Sequence, residues 1–137
     1  MSIPAISQPV PRHDITIKQN ATFSLVLCIV QRESDGSTSV VDTEDWEAVL
    51  QVRAEPTQTS DVLLEASTDN GRIVMGIQGD PGEEINIDIK IPAEITAALE
   101  WFGCAGYDLL VIYPGGDHDY YAEGQAIIQP AYSWEAP

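Results

Sequence analysis

The chain has few basic residues, few cysteines and no long hydrophobic run, and each shortage excludes a class of protein. Its 137 residues include 6 Lys and Arg against 22 Asp and Glu, a formal net charge of −16. A surface this acidic repels phosphate backbones and anionic lipids, so we expect no nucleic acid and no membrane among its partners. The longest apolar stretch, Leu25 to Val30, is too short to cross a bilayer.

The first residues lack a hydrophobic segment of signal-peptide length, and Met1 to Pro11 carries three prolines instead. We therefore expect the chain to be made and folded in a cytoplasm, where thiols stay reduced. Cys28, Trp46 and Cys104 partly match the disulfide and tryptophan of immunoglobulin domains. However, Phe102 stands where that pattern places a tyrosine. We expect both thiols to be free and Trp46 to be a plain core residue.

Motifs of catalysis are missing as well. The sequence has no nucleophile elbow, no phosphate-binding glycine loop and no zinc-protease motif. Asp117-His118-Asp119 and the acidic segment Asp42–Asp45 suggest metal ligands, but a solvated turn and a surface loop explain them better. The sequence therefore predicts a protein that is not an enzyme, with no catalytic residue, no cofactor and no metal.

Alternation of apolar and polar residues is the strongest pattern present. Ile85, Ile87, Ile89 and Ile91 alternate with polar residues, which places the isoleucines on one face of a strand and the polar side chains in water. Similar segments recur along the chain, so we predict an all-β fold: an immunoglobulin-like, two-sheet antiparallel β-sandwich. The predicted strands are Asp14–Lys18, Ala21–Arg32, Trp46–Arg53, Val62–Ala66, Arg72–Ile77, Glu84–Ile91, Tyr107–Tyr113 and Tyr120–Gln129.

Three local features refine this prediction. The second strand, Ala21–Arg32, is apolar on both faces and is expected to be covered on both. Asp69-Asn70-Gly71 predicts a tight hairpin between its flanking strands. Pro92, an apolar stripe from Ile95 to Phe102 and a closing glycine predict one short connecting helix at about 92–102. Cys104 is expected outside the following strand.

The prolines and aromatics divide the chain into three parts. We predict that residues 1–13 form an extended, Pro-rich N-terminal arm, residues 14–129 the β-sandwich domain, and residues 130–137 a Pro/aromatic C-terminal tail. Tyr and Trp anchor protein interfaces. We therefore propose Pro9, Pro11, Tyr132 and Trp134 as interface residues that pack on a neighbouring subunit. The alternative is that the two aromatics fold back on their own domain.

Five ordered segments carry a family resemblance. They are Asp14–Phe23, Asp45–Arg53, Val62–Glu65 with Asn70–Ile73, Tyr107–Leu109 with Pro114–Gly116, and Glu123–Ala126. Over about residues 14–128 the chain resembles small bacteriophage virion proteins of the tail and receptor-binding apparatus, and it is similar to the N-terminal β-sandwich of baseplate upper proteins. The family often has Gly where Asn20 stands, and Leu-Thr-Gly where this chain has Asp42-Thr43-Glu44-Asp45.

The resemblance implies a virion structural protein: a multi-copy adaptor in the tail or baseplate that joins tail parts or attaches fibres and receptor-binding proteins. Its expected partners are other virion proteins and further copies of itself, as a homo-oligomer in a particle assembled in the host cytoplasm. One alternative is a capsid decoration (cement) protein on the outer head surface. An alternative of another class is a carbohydrate-binding module, with Trp101, Tyr120, Tyr121 and Trp134 as an aromatic platform.

Overall fold

About half of the described residues lie in β-strands and only one helical turn is found among them, which confirms the predicted all-β fold class. The computed structural model describes residues 11–57 and 59–134. Within them the strands are β1 (Ile15–Lys18), β2 (Phe23–Leu27), β3 (Val30–Arg32), β4 (Thr38–Val40), β5 (Glu47–Arg53), β6 (Val62–Ser67), β7 (Ile73–Gln78), β8 (Ile85–Ile91), β9 (Gly103–Ile112) and β10 (His118–Gln129), with the helix α1 (Ala93–Thr96).

The strands form two main sheets and a separate hairpin. The larger sheet has the order β1-β10-β9-β5-β6 and the smaller the order β2-β8-β7, while β3 pairs with β4 alone. This division of consecutive strands between two sheets is the one found in immunoglobulin-like sandwiches. One pairing departs from the predicted antiparallel arrangement, because β1 runs parallel to β10. The two strands lie at opposite ends of the sequence, so no tight turn forces them to be antiparallel.

The core lies between the inner faces of the two sheets. Ile87, Ile89 and Ile91 on β8 are fully buried, as the alternation predicted. From the larger sheet they are matched by Ala48, Leu50, Val52, Leu109 and Val111, which are also fully buried. Burial of each large aliphatic side chain stabilises the fold by about 1.5–3 kcal/mol.

The predicted second strand is interrupted, and one of its faces is exposed to solvent. The prediction of one continuous strand covered on both faces is therefore wrong. It divides at Cys28 and Ile29 into β2 and β3, and Val26 and Val30 are 50% and 49% exposed. The interruption occurs because the main chain of Ile29 pairs with the side chain of Asn86 instead of continuing along β8. The strand then leaves the smaller sheet to form its own hairpin.

The predicted helix at about 92–102 is mostly absent, since α1 ends at Thr96. The Thr96 hydroxyl bonds the main chain of Ala21, which fixes this one turn against the β1–β2 connection. Gly103, expected to end the helix, instead pairs with Ile128 as the first residue of β9. So short a helix is marginal alone, and residues 97–102 continue as a turn and irregular chain until β9 begins at Gly103. This helix is neither long nor apolar enough to cross a membrane, as judged over the described residues.

The turn at Asp69-Asn70-Gly71 is present, but it does not form a hairpin. β6 belongs to the larger sheet and β7 to the smaller one. The Asn70 side chain donates to the Glu65 carbonyl and accepts from the Ser67 N–H, which ends the pairing edge of β6 and turns the chain towards the other sheet. The predicted position of Cys104 outside the following strand is also wrong, because Cys104 lies inside β9 and pairs with Ile127. Both cysteines are exposed and free.

Candidate functional site

The structure describes three of the four predicted terminal interface residues, Pro11, Tyr132 and Trp134, and all three are exposed. Pro11 is exposed, and its carbonyl accepts the N–H of Glu123 on β10 at 3.1 Å. Pro9 lies outside the described residues. Tyr132 is 89% exposed and Trp134 53% exposed. Tyr132 therefore does not fold back on its own domain, and its ring is available to another molecule.

Gln19 holds the start of the C-terminal tail in place. Its side-chain oxygen accepts the N–H of Ala131 at 3.0 Å, and its side-chain nitrogen donates to the carbonyl of Leu99 at 3.0 Å. Its own main-chain N–H donates to Gln129 at the end of β10. The tail therefore leaves the sheet in a defined direction. This role of Gln19 could not be predicted from the sequence, since an isolated glutamine has no distinctive pattern.

Three aromatic side chains are exposed at this end of the larger sheet. Phe102 precedes Gly103, which pairs with Ile128 near the end of β10, so it lies beside the point where the tail begins. Tyr132 and Trp134 follow on the tail itself. We call Phe102, Tyr132 and Trp134 the aromatic end. Exposed aromatics of this kind are typical of interaction surfaces.

A groove of about 780 Å³ crosses the outer face of the larger sheet. Strand register places Gln51, Asp108 and Glu123 side by side on β5, β9 and β10, and Arg12 extends this row beyond β10. These four residues come from distant parts of the sequence. Only the pairing of the strands brings them together, so sequence patterns could not reveal the row.

A second row lies beside the first and deepens the groove. Arg53, Gly106 and Gln125 are aligned on the same three strands. Gly106 has no side chain and forms a dip between its two long neighbours. The loop after β5 makes one wall, and Tyr120, which is 45% exposed, contributes an aromatic ring to the lining.

The carboxylates of the groove are close to each other and lack hydrogen-bond partners among the described residues. Asp108 faces Glu123 directly across β9 and β10. Partial desolvation at the sheet surface raises the pKa of Asp108, the neighbouring charge of Glu123 raises it further, and Arg53 opposes both effects. Like charges directly opposite on adjacent strands destabilise a sheet. The pair therefore weakens the fold at this point.

Arg53 is held in a fixed position beside these carboxylates. One guanidinium nitrogen donates to the carbonyl of Ser60, and the other donates to the side-chain oxygen of Gln51 at 3.1 Å. Arg12, in contrast, is tied only by an exposed ion pair with Asp14 at 3.4 Å. The groove thus has a cationic donor held by two hydrogen bonds near one wall and an exposed one on the opposite side.

The aromatics considered for a sugar platform do not share one surface. Tyr121 is buried in the core, while Tyr120 lines the groove. Trp101 lines a separate depression of about 440 Å³ between β6 and the α1–β9 connection. Trp134 belongs to the aromatic end. The four-residue platform is therefore wrong, and Tyr120 alone remains beside polar groups suited to a ligand.

A buried aromatic cluster supports the β9–β10 hairpin. Trp46 is in the core as predicted, and its ring meets that of Tyr113 edge-to-face at a centroid distance of 4.8 Å. Tyr121 and Tyr113 hydroxyls are 2.6 Å apart, and Tyr113 donates to Asp119 at 3.0 Å. Burial raises the pKa of both tyrosines. The indole N–H of Trp46 is buried without a hydrogen-bond partner in the described part of the chain.

The acidic motifs have ordinary structural roles. Asp119 accepts the hydrogen bond from Tyr113, and His118 contacts the carbonyl of Gly116 within the β9–β10 turn. Asp42 accepts the N–H of Glu44 in the loop before β5. Across residues 11–57 and 59–134, no three His, Cys, Asp or Glu side chains are grouped so as to hold a metal ion.

Comparison with known proteins gives this chain no family. No protein-family model matches the sequence, and no curated protein matches it significantly.

Proposed function

We propose that this protein is a non-enzymatic structural protein of a bacteriophage virion, an adaptor present in several copies that joins tail or baseplate components. The observation that carries the proposal is the aromatic end. Gln19 fixes the start of the tail, and beyond it Tyr132 is 89% exposed and Trp134 about half exposed. Such rings supply large contact area at a small cost in conformational entropy, which suits an anchor in a partner's pocket.

Two further features support this assignment. The β-sandwich is built around an apolar core, while its outer faces leave Val26 and Val74 half exposed on either side of Asp88. The strand residues in the segments that resemble tail-associated virion proteins lie mostly in β1, β5, β6, β9 and β10, which together make the larger sheet, and only Phe23 and Ile73 belong to the smaller one. Weak interfaces gain affinity when several copies of a subunit bind together.

The double variant Tyr132→Ser/Trp134→Ser tests the proposal. Loss of an interface anchor weakens binding by about 2 kcal/mol or more, roughly thirtyfold. We therefore expect particles assembled with the variant to contain far less of the chain, measured by quantitative mass spectrometry. Tyr120→Ser is the matched control, because it removes an exposed aromatic ring from a different surface.

Electron microscopy of intact particles provides the second arm of the test. Density for the β-sandwich at the tail or baseplate supports the adaptor function. Density on the outside of the head would instead establish a decoration protein. Absence of the chain from wild-type particles would contradict both.

A further inference from the structure

We propose that the groove on the outer face of the larger sheet is a carbohydrate-binding site, which binds a neutral oligosaccharide along the two rows of polar side chains that cross β5, β9 and β10. This inference is independent of the aromatic end. It rests on the shape of the groove, on its balance of charge and on the unused hydrogen-bonding groups within it.

The shape suits a small polar chain lying on a sheet. A volume of about 780 Å³ is in the range of ligand sites, and the groove is open along its length rather than enclosed. Adjacent strands are about 4.8 Å apart, and residues two apart on one strand are separated by about 7 Å. This grid of polar groups is comparable in scale with the substituents around a six-membered sugar ring.

The charge of the groove argues for a neutral ligand. Two of the six basic residues of the whole chain, Arg12 and Arg53, line it, together with the carboxylates of Glu55, Asp108 and Glu123. The site is therefore nearly balanced within a molecule of net charge −16. A basic peptide would meet both arginines, and a phosphate would meet three carboxylates. The hydroxyl groups of a sugar suit the arginines and the carboxylates alike, because a hydroxyl can donate to a carboxylate and accept from a guanidinium.

The hydrogen-bonding groups are present but unused. The side chains of Asp108, Glu123 and Gln125 make no hydrogen bond within the described residues, although Asp108 is partly desolvated. Arg53 is already oriented by Ser60 and Gln51. Tyr120 presents an aromatic ring beside these groups, against which the apolar C–H face of a sugar can pack. Together these side chains supply donors, acceptors and a stacking surface.

Gly106 allows the groove to be filled without disturbing the fold. It lies in regular strand backbone, and a Cβ atom there would have one neighbour within 4 Å, the carbonyl oxygen of Gly124 at 3.8 Å. Valine is favoured in strands, so we expect Gly106→Val to fold with an unchanged or higher melting temperature. Gly115→Val is the matched control, because Gly115 lies in the β9–β10 turn with open space around it.

The experiment uses the full chain on an array of neutral hexose and N-acetylhexosamine oligosaccharides, with hexalysine and tetraglutamate peptides as charged probes. Wild type and Gly115→Val should retain the same glycans. Gly106→Val should lose them, and Asp108→Asn, which keeps the shape of the site, should bind about ten- to a hundredfold more weakly.

The proposal is wrong if wild type retains no glycan, if both groove variants bind glycans as wild type does, or if only a charged peptide binds. Incorporation into particles separates this proposal from the adaptor function. Gly106→Val should be incorporated normally, whereas Tyr132→Ser/Trp134→Ser should keep its glycan binding.

Discussion

Asn86 lies among the isoleucines of β8 and is fully buried, although the alternation places it with the residues that face water. Its carboxamide accepts the N–H of Ile29 and donates to the carbonyls of Ile29 and Val41, each at 2.8 Å. The main-chain carbonyl of Asn86 accepts the hydroxyl of buried Thr43, which in turn accepts the N–H of Gly76. One polar side chain thus joins the interrupted second strand, the loop before β5 and the smaller sheet.

Replacing this side chain should destabilise the domain severely. Asn86→Leu leaves the part-buried N–H of Ile29 and the buried carbonyl of Val41 without partners, at about 1–3 kcal/mol for each group, while the Ile29 carbonyl keeps the N–H of Val41. We expect the free energy of unfolding to fall by about 3 kcal/mol or more, measured by denaturant titration. Lys90→Leu is the control, since Lys90 is exposed on the same face of β8. Equal midpoints for the two variants would show that the Asn86 bonds contribute little.

Asp108 gives a prediction that depends on pH. Because its folded pKa is raised above the ordinary value of 3.8, the native state holds the proton more tightly than the unfolded state does. The free energy of unfolding therefore decreases as pH rises through this range, and the ionised carboxylate destabilises the fold at neutral pH. Asp108→Asn should stabilise the protein at pH 7 by about 0.2–1 kcal/mol, reduced by solvent screening.

The measurement is the melting temperature of wild type and Asp108→Asn between pH 3 and pH 7. The advantage of the variant should be largest at neutral pH and should shrink in acid, where the wild-type carboxyl is protonated. Asp88→Asn on the other sheet controls for the loss of one negative charge. A neutral or harmful effect of Asp108→Asn at pH 7 would show that the Glu123 repulsion is offset locally. A variant that gains stability but loses glycan binding would fit a strained functional site.

At the scale of the element, the β1–β2 turn depends on one left-handed residue. Asn20 has φ +65°, and no other non-glycine residue among those described has a positive φ. Asn tolerates this conformation better than most residues, and Gly tolerates it best.

The pair Asn20→Gly and Asn20→Val tests the role of backbone conformation, since both variants lose the same side chain. Glycine should leave the free energy of unfolding unchanged or slightly higher. Valine, which is branched and disfavours a positive φ, should lower it by about 1–2 kcal/mol. Thermal unfolding of the two proteins side by side is sufficient. If both variants melt together, the turn can adopt another conformation at little cost.

The regular elements were predictable from periodicity, and the irregular ones were not. β5, β6 and β8 appear where alternation placed them, because one buried face fixes the phase of a strand. The second strand, the helix and the turn at Asn70 failed for a common reason. In each case a polar side chain, Asn86, Thr96 or Asn70, bonds the main chain of another segment and redirects it. The partners of Asn86 and Thr96 lie 57 and 75 residues away in sequence and leave no local pattern, whereas those of Asn70 are only three and five residues away.

The candidate sites divide in the same way. The aromatic end was accessible from the sequence, because Tyr132 and Trp134 lie together in a short terminal segment. The groove was not, because its rows combine strands from four parts of the chain. The nearest signals were Gly106 inside a strand, which often marks a close approach or a cleft, and the charged residues Asp108 and Glu123 on strand faces.

At the scale of the whole molecule, the charged side chains behind the net charge of −16 form almost no ion pairs among the described residues. The described residues contain one ion pair, Arg12 with Asp14, and both side chains are exposed. Self-repulsion of this kind destabilises the compact state. The acidic surface therefore favours solubility at the expense of stability.

Added salt should for this reason stabilise the protein. The screening length falls from about 30 Å at 0.01 M to about 3 Å at 1 M ionic strength. We expect the melting temperature to rise with NaCl, by about 4 °C for each kcal/mol of repulsion removed. KCl should have the same effect, which excludes specific binding of one cation. A melting temperature that falls with salt would mean that local attractions outweigh the net charge.

The parallel pairing of β1 with β10 separates the places where the described chain begins and ends. Pro11 lies beside Glu123, whereas the tail leaves beyond Gln129, about 20 Å further along the strand. A subunit bound to a partner through its aromatic end would therefore leave its groove accessible. Copies that assemble in a ring through that end would present a circular array of identical weak binding sites. A host surface rich in repeating sugars could then be bound tightly through many weak contacts.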